Sequence, residues 1–177
     1  MKETFTISIF TENAPGLLHR VTTVFTKRKL NIESITASES EIKGIHRYTI
    51  VVISTRVLAE TVVNQLEKQV EILKAFLHTD KEIVYQEIAL YKVPSESLMK
   101  EKGVEKIVRD HHARILTMEK EFVIIEKTGH KHETQELYER LEPYGILEFV
   151  RSGRVAITKP MKKLSEYLSE METKYKS

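Results

Sequence analysis

The sequence contains no cysteine, so disulfides, thiolate metal sites and cysteine nucleophiles are excluded. A cysteine-free chain fits a reducing compartment, and we expect a cytoplasmic protein. Glycine and proline are scarce, at 6 and 4 of 177 residues. Because no low-complexity tract occurs either, we expect an ordered globular structure through most of the chain.

Long apolar runs are also missing. The N-terminal MKETFTISIF alternates apolar and polar residues, unlike the continuous apolar segment of a signal peptide. No run reaches the roughly 20 residues that a membrane-spanning helix needs. Charged residues make up 31% of the chain, yet the formal net charge is only +2. Since acids and bases are interspersed, we expect neither nucleic acid nor membrane as a partner.

The first half of the chain has a clear order of strand and helix patterns. In TFTISIF, apolar Phe5, Ile7 and Ile9 alternate with polar residues, as in a strand with one buried face. Residues 17–25 then have helical apolar spacing. NIESITA and HRYTIVVIS predict two strands, residues 62–70 a helix, and EILKAFLHT a fourth strand. The order from Thr4 to Asp80 is βαββαβ, the ferredoxin-like arrangement.

The second half repeats this order of elements. Four strands are predicted in IVYQEIALYKV, RILTM, EFVIIEK and ILEFV, with helices at Leu98–Val108 and around Leu137–Leu141. A terminal amphipathic helix follows. The sequence therefore predicts an α+β protein with two ferredoxin-like βαββαβ domains, residues 1–80 and 81–177, plus a C-terminal helix. No proline or glycine linker marks the boundary.

Candidate catalytic groups form no familiar motif. The seven histidines include His111–His112 and the stretch HKHE at residues 130–133, but neither has the i, i+4 histidine pair of a HExxH site. We interpret them as exposed loop or helix-end residues, which makes a small metal-dependent enzyme the least favoured hypothesis. No GxSxG elbow, P-loop or GxGxxG fingerprint occurs. We expect no catalytic residue, cofactor site or metal site in this chain.

The segment ENAPGLLHRV joins the first strand to the first helix. Asn13 is a favoured cap or turn residue, and Gly16 permits close backbone approach. Together with the following FTKRKLNIESI, this turn resembles the ACT domain, a small-molecule-sensing βαββαβ module. The form N-x-x-G-x-L-x-R-V, then N-I-E-S-I, resembles the regulatory small subunits of acetolactate synthase, as does RSG in the second half. The matching residues are Asn13, Gly16, Leu18, Arg20, Val21, Phe25, Asn31, Ile32, Glu33, Ser34, Arg151, Ser152 and Gly153.

This resemblance implies a non-catalytic regulatory subunit. Such a subunit activates the large catalytic subunit of acetolactate synthase and mediates feedback inhibition by valine or another branched-chain amino acid. The resemblance further implies a homodimer through ACT domains, which we expect along NIESITASES, and thiamine diphosphate, Mg²⁺ and FAD on the catalytic partner. The alternative is a free-standing ACT-domain sensor or regulator. The lack of a helix-turn-helix segment and of a basic face counts against a transcriptional regulator.

The resemblance also implies an amino-acid site that includes Asn13, Gly16, Leu17, Asn31 and Ile32. Free N–H groups at the first helix would stabilise the ligand carboxylate, and the Asn31 amide oxygen would accept from its ammonium. Leu17 and Ile32 would contact its side chain. Structural roles remain open: Asn13 as a cap, Gly16 and Asn31 as turn residues, Leu17 and Ile32 as core. If φ of Gly16 is negative, alanine there costs little stability. The corresponding turn of the second domain, KVPSES, lacks NxxG, and we expect no site there.

Overall fold

The computed structural model describes residues 1–100, 103–159 and 163–175. The chain divides into two compact units, the first formed by Met1–Tyr85 with Arg154–Ser177 and the second by Gln86–Gly153. None of the helices in the described ranges is long and apolar enough to cross a membrane.

The first unit contains an antiparallel four-stranded sheet with helices after its first and third strands. Its elements are β1 (Glu3–Glu12), α1 (Leu17–Lys27), β2 (Ser34–Glu39), β3 (Ile45–Ser54), α2 (Arg56–Leu66) and β4 (Ile72–His78). The strand order is β2-β3-β1-β4. The predicted βαββαβ order of a ferredoxin-like domain is confirmed.

Helices α1 and α2 pack on one face of this sheet, the inner face. Phe5, Ile7 and Ile9 of β1 lie on it and are fully buried, as their alternation predicts. They form one core with the apolar stripes of the two helices and of β3, which include Val21, Val24, Phe25, Tyr48, Ile50, Val52, Ala59, Val62 and Leu66. The Thr55 hydroxyl caps α2 by accepting from the Leu58 N–H at 3.4 Å.

The opposite, outer face of the first sheet is also covered. Thr6 and Ser8 of β1 lie on it and are 0% and 1% exposed. The residues that follow the second unit provide the cover, with strand β9 at Val155–Thr158 and helix α6 at Leu164–Tyr175. The buried Arg154 donates to Thr6 Oγ1 at 2.9 Å and to Asp80 Oδ1 at 2.7 Å. Thr6 thus obtains its partner from a distant part of the sequence, while Ser8 Oγ accepts from Arg47 Nη2 of β3 at 3.4 Å.

These compact units differ from the domains expected from the sequence. The division falls at Tyr85, inside a strand, and the C-terminal helix belongs to the first unit instead of the second. The reason is the cover on the outer face, which depends on long-range hydrogen bonds that leave no local pattern. Strand β9, within the sequence VAIT, was not predicted at all.

The second unit has the same strand order around its own core. Its elements continue the chain as β5 (Ile83–Pro94), α3 (Ser95–Lys100), α4 (Gly103–Asp110), β6 (Arg114–Met118), β7 (Phe122–Gly129), α5 (Lys131–Leu141), a 3₁₀ helix (Glu142–Tyr144) and β8 (Glu148–Arg151). The sheet order is β6-β7-β5-β8, and β9 pairs with β5, whose first residues belong to the first unit. The single helix predicted at Leu98–Val108 is described as α3 and α4, and its residues 101 and 102 lie outside the described part.

Candidate functional site

Three connections meet at one end of the first sheet, which we call the loop end. They are residues 13–16 between β1 and α1, residues 40–44 between β2 and β3, and residues 67–71 between α2 and β4. The Asn13 N–H donates to the Gly44 carbonyl at 3.0 Å, and the Glu12 N–H donates to the Glu71 carbonyl at 3.3 Å. These backbone bonds fix the loop of Asn13 and Gly16 against its neighbours, while the Asn13 side chain stays exposed.

Gly16 is the N-cap residue of α1 and has left-handed backbone angles, with φ at 83°. A Cβ built on it would meet no atom within 4 Å, so the backbone angle, and not crowding, requires glycine here. The condition under which alanine would cost little stability, a negative φ, is therefore not met, and an L-residue is strained at this angle. Within the described residues no side chain caps α1, so Asn13 is not its cap. The Leu17 N–H donates to the Ala14 carbonyl at 3.5 Å, and the N–H groups that follow it in the first turn can donate to an anion.

Arg20 adds a positive charge to the loop end. Its guanidinium forms an ion pair with Glu71, and the two side chains are 56% and 30% exposed. The pKa of Glu71 is lowered, first by the residue's own backbone N–H and then by Arg20. Arg20 matches the family motif but was not among the predicted site residues. Its place within N-x-x-G-x-L-x-R-V was the available signal.

Asn31 lies at the other end of α1 from Gly16. The helix has 11 residues, which corresponds to a length of about 16 Å. One chain therefore does not bring Asn13 and Gly16 together with Asn31. The residue also precedes β2, which begins at Ser34, instead of starting it as expected. The Asn31 amide nitrogen donates to Glu33 Oε1 at 3.1 Å, so its amide oxygen is the atom that can accept from an ammonium group.

The two predicted apolar contacts both have core roles in the single chain. Leu17 is 2% exposed, and Ile32 is half-buried against the core of the first unit. Their contact with a ligand stays a prediction. Leu18, next to them in the motif, is 45% exposed and is the accessible apolar side chain at the start of α1.

Strand β2 is an edge strand that runs between the two ends of the sheet. It pairs with β3, and its outer side has no neighbour in the strand order of the described residues. Glu39 is opposite His46, which is opposite Thr11 near the loop end. Ser34 is opposite Val51, which is opposite Thr6. The start of β2, with Asn31 before it, therefore lies at the end of the sheet away from Gly16.

The histidine groups form no metal site in the part of the chain that the structure describes, where no group of three or more potential ligands occurs. His130 is the N-cap residue of α5, as the predicted helix start implies, and its N–H donates to Glu133 Oε2 at 2.6 Å. The ring of His132 stacks on that of His130 at 5.8 Å. His111 and His112 follow the end of α4.

Two protein families match consecutive stretches of the chain. Residues 7–74 match the family described as AHAS small subunit-like ACT domain, and residues 86–160 match the family described as small subunit of acetolactate synthase. A Bacillus subtilis (strain 168) protein named acetolactate synthase small subunit is 34% identical over 160 residues, with 90% of this chain and 91% of that protein covered. The chain belongs to the acetolactate synthase small-subunit family.

Other members of the small-subunit family agree over the same length. The probable acetolactate synthase small subunit of Archaeoglobus fulgidus is 34% identical over 158 residues, covering 89% of this chain and 98% of that protein. The crystal structure of the small subunit from Thermotoga maritima superimposes with a TM-score of 0.81 at 28% identity, covering 90% of this chain and 99% of that one. These matches confirm the resemblance, and they favour a subunit of the synthase over a free-standing sensor.

Proposed function

We propose that this small subunit binds valine or another branched-chain amino acid at a site built by two copies of the chain. The proposal depends on one observation: the length of α1 separates Asn13 and Gly16 from Asn31. The carboxylate and the ammonium of an amino acid are attached to the same carbon atom. One copy alone therefore cannot present both the helix N-terminus and the Asn31 amide to the same ligand.

Pairing of β2 with β2 of a second copy removes this separation. An exposed edge strand pairs readily with its equivalent, and a two-fold axis makes such a pair antiparallel. An axis through the middle of β2 would set Ser34 of one copy opposite Glu39 of the other. Asn31 of one copy would then lie near the loop end of the second. The homodimer would contain two equivalent sites.

Each group of the ligand has a partner in this arrangement. The carboxylate would accept from the first-turn N–H groups of α1, where Gly16 leaves open space and Arg20 adds positive charge. The ammonium would donate to the Asn31 amide oxygen of the other copy. The aliphatic side chain would contact Ile32 and Leu17, together with the exposed Leu18.

The subunit's proposed role is regulation of a catalytic partner. We assign the synthase reaction, with its thiamine diphosphate, Mg²⁺ and FAD, to the large catalytic subunit, and we propose a cytoplasmic complex. The small subunit would activate that partner and transmit feedback inhibition when the amino acid binds. The second unit carries no equivalent of the Asn13–Gly16 turn, so we propose that the two equivalent sites at the dimer interface are the amino-acid sites that regulate the synthase.

A valine titration of reconstituted synthase activity tests this function. Asn31→Ala should weaken inhibition by valine roughly 5 to 150-fold, about 1 to 3 kcal/mol, because a partner of a charged group is lost. Asn64→Ala, at an exposed asparagine of α2, is the matched control and should leave inhibition unchanged. Both variants should still activate the catalytic subunit. Unchanged inhibition in Asn31→Ala would contradict the site, and lost activation would make this segment a docking element.

A mixed dimer tests whether two copies build the site. Gly16→Ala and Asn31→Ala chains carrying different tags are co-expressed, and the heterodimer is isolated by both tags. One of its two sites then contains both substitutions and the other contains neither. Calorimetry should find about half of the wild-type valine stoichiometry at wild-type affinity. A site within one chain would instead give a heterodimer with no intact site.

A further inference from the structure

The first unit contains a partly open cavity of about 500 Å³ between the outer face of its sheet and the C-terminal cover. This volume lies in the range of small-molecule pockets. Most of the lining is apolar, and three aromatic rings form a cluster in it. Phe10 packs edge-on against Phe76 at 6.1 Å, and Phe76 packs edge-on against Tyr167 at 4.9 Å. Ile157 and Leu164 line the side of the cover.

A small set of charged groups converges on this apolar cavity. Arg47 of β3, His78 of β4 and Lys163 before α6 supply the basic groups, and Glu41 of the β2–β3 turn is the acidic one. Arg47 Nη2 donates to the Ala156 carbonyl at 2.6 Å, so this guanidinium also holds the cover in place. Arg47 Nε and His78 Nε2 are buried and have no hydrogen-bond partner among the described residues. Buried polar groups normally have partners, so a ligand would account for both.

We propose that this cavity binds a monocarboxylate with a compact apolar or aromatic tail, at a second ligand site distinct from the dimer-interface site. The Nε edge of Arg47 can receive one carboxylate, since part of the fork is already engaged with Ala156. The aromatic cluster suits the tail. A doubly charged phosphate fits less well, because the apolar walls make its desolvation more costly.

The position of the cavity gives such a ligand a structural effect. Its walls include β1, β3 and β4 on one side, and on the other Ile157, Thr158, Lys163, Leu164, Ser165 and Tyr167. A bound carboxylate would therefore contact the sheet and its cover at once, and it would stabilise the covered state by its binding free energy. Burial, and to a smaller extent Arg47, lower the pKa of His78, and a bound anion nearby would favour its protonated form.

Titration of the full chain with 3-phenylpropanoate tests the proposal, with neutral 3-phenylpropanamide as the matched probe. The acid should bind at least about tenfold more tightly than the amide, because only the acid gains a charge-assisted bond to Arg47. Backbone amide NMR signals of Ser8, Phe76 and Tyr167 should shift during the titration. Saturating valine should not displace the acid. Equal binding of acid and amide, shifts elsewhere only, or displacement by valine would each overturn the proposal.

Charge variants locate the carboxylate within the cavity. Arg47→Gln keeps an amide donor for Ala156 but removes the charge, and it should weaken acid binding about tenfold without changing amide binding. Arg56→Gln makes the same change at an exposed residue of α2 and should have no effect. Lys163→Gln removes an exposed charge at the cavity and should weaken acid binding about threefold. Because Lys163 is exposed, this variant can still be tested if Arg47→Gln unfolds the protein. The proposal would be overturned if both variants, Lys163→Gln and Arg47→Gln, bound the acid as tightly as the wild-type protein does.

Discussion

The two sheets differ in the face that their adjacent helices leave uncovered. In the first unit this outer face carries Thr6 and Ser8, which are polar and yet fully buried. In the second unit the corresponding face carries Ile88 and Val150, which are apolar and yet 46% and 54% exposed. Both outer faces thus reverse the usual relation, since polar residues are buried on the first and apolar residues are exposed on the second.

The difference shows what alternation along a strand can and cannot report. In both units alternation identifies the face that meets the helices, because that face is mainly apolar. It does not report whether the other face is covered. A polar face can be buried where the cover brings its own hydrogen-bond donors, as Arg154 does for Thr6 and Asp80.

Removing Arg154 should have the largest effect on this comparison. Arg154→Met leaves Thr6 Oγ1 and the Asp80 carboxylate without their buried donor, and we expect a loss of about 2 to 4 kcal/mol in the free energy of unfolding. Asp80 is 45% exposed, which keeps the loss from being larger. Urea unfolding measures the change. Arg56→Met, at an exposed i, i+4 pair with Glu60, is the control and should cost no more than about 0.5 kcal/mol.

A pair of glycine variants separates backbone strain from ligand binding. Gly16 and Gly145 have φ angles of 83° and 84°, and neither has a neighbour that alanine would clash with. Each alanine variant should lose about 1 kcal/mol of stability from left-handed strain. Only Gly16→Ala should also weaken inhibition by valine. An equal loss of inhibition in both would mean that instability, and not the loop end, is responsible.

The two units should respond to acid in different pH ranges. Burial lowers the pKa of His78 below its usual 6.5, opposed by Glu82 and aided by Arg47. The unfolded chain then binds a proton that the folded chain does not, so stability is full above about pH 7 and declines as the pH falls through 6.5. In the second unit, the Thr128 hydroxyl and then Arg114 lower the pKa of Glu126, whose contribution is lost only below its usual 4.5.

Hydrogen exchange at pH 7.5 and pH 5.5 measures this difference. Protection of β4 should fall between these values more than protection of β7. His78→Asn should remove most of the pH dependence in β4. Equal loss of protection in both strands would contradict the assignment to His78.

A substitution on the outer face of the second sheet should have the smallest effect. Val150→Thr should change the free energy of unfolding by no more than about 0.5 kcal/mol, because the side chain is already exposed. Val93→Thr makes the same change on the inner face, where the side chain is fully buried. A buried hydroxyl without a partner costs about 1 to 3 kcal/mol. Thermal unfolding of the two variants should therefore differ, and equal losses would mean that Val150 is covered.

The sequence was sufficient where a structural rule is local. Alternation of Phe5, Ile7 and Ile9 located β1 and its buried face, and the turn from Asn13 to Gly16 located the start of α1. The sign of φ at Gly16 was not readable, because glycine is allowed on both sides. Strand β9 and the role of Arg154 were missed, since β9 pairs with the distant β5 and the partners of Arg154 are 148 and 74 residues away in the chain.

The same limit applies to the candidate site. Its residues came from a motif, and the motif gave no distances between them. The length of α1 is what separates Asn31 from Gly16 and makes a second copy necessary in the proposal. Arg20 was present in the motif, but its position beside Glu71 required the fold.

The first unit is completed by residues that follow the second unit in the sequence, and this order affects synthesis on the ribosome. The second unit, Gln86–Gly153, is made before the residues that cover the outer face of the first sheet. At typical translation rates of 5 to 20 residues per second, those roughly 70 residues take about 4 to 14 s. During that interval the nascent chain displays Thr6, Ser8 and two aromatic side chains of the cavity, Phe10 and Phe76. The uncovered nascent sheet is therefore a surface that a chaperone can bind before the protein is complete.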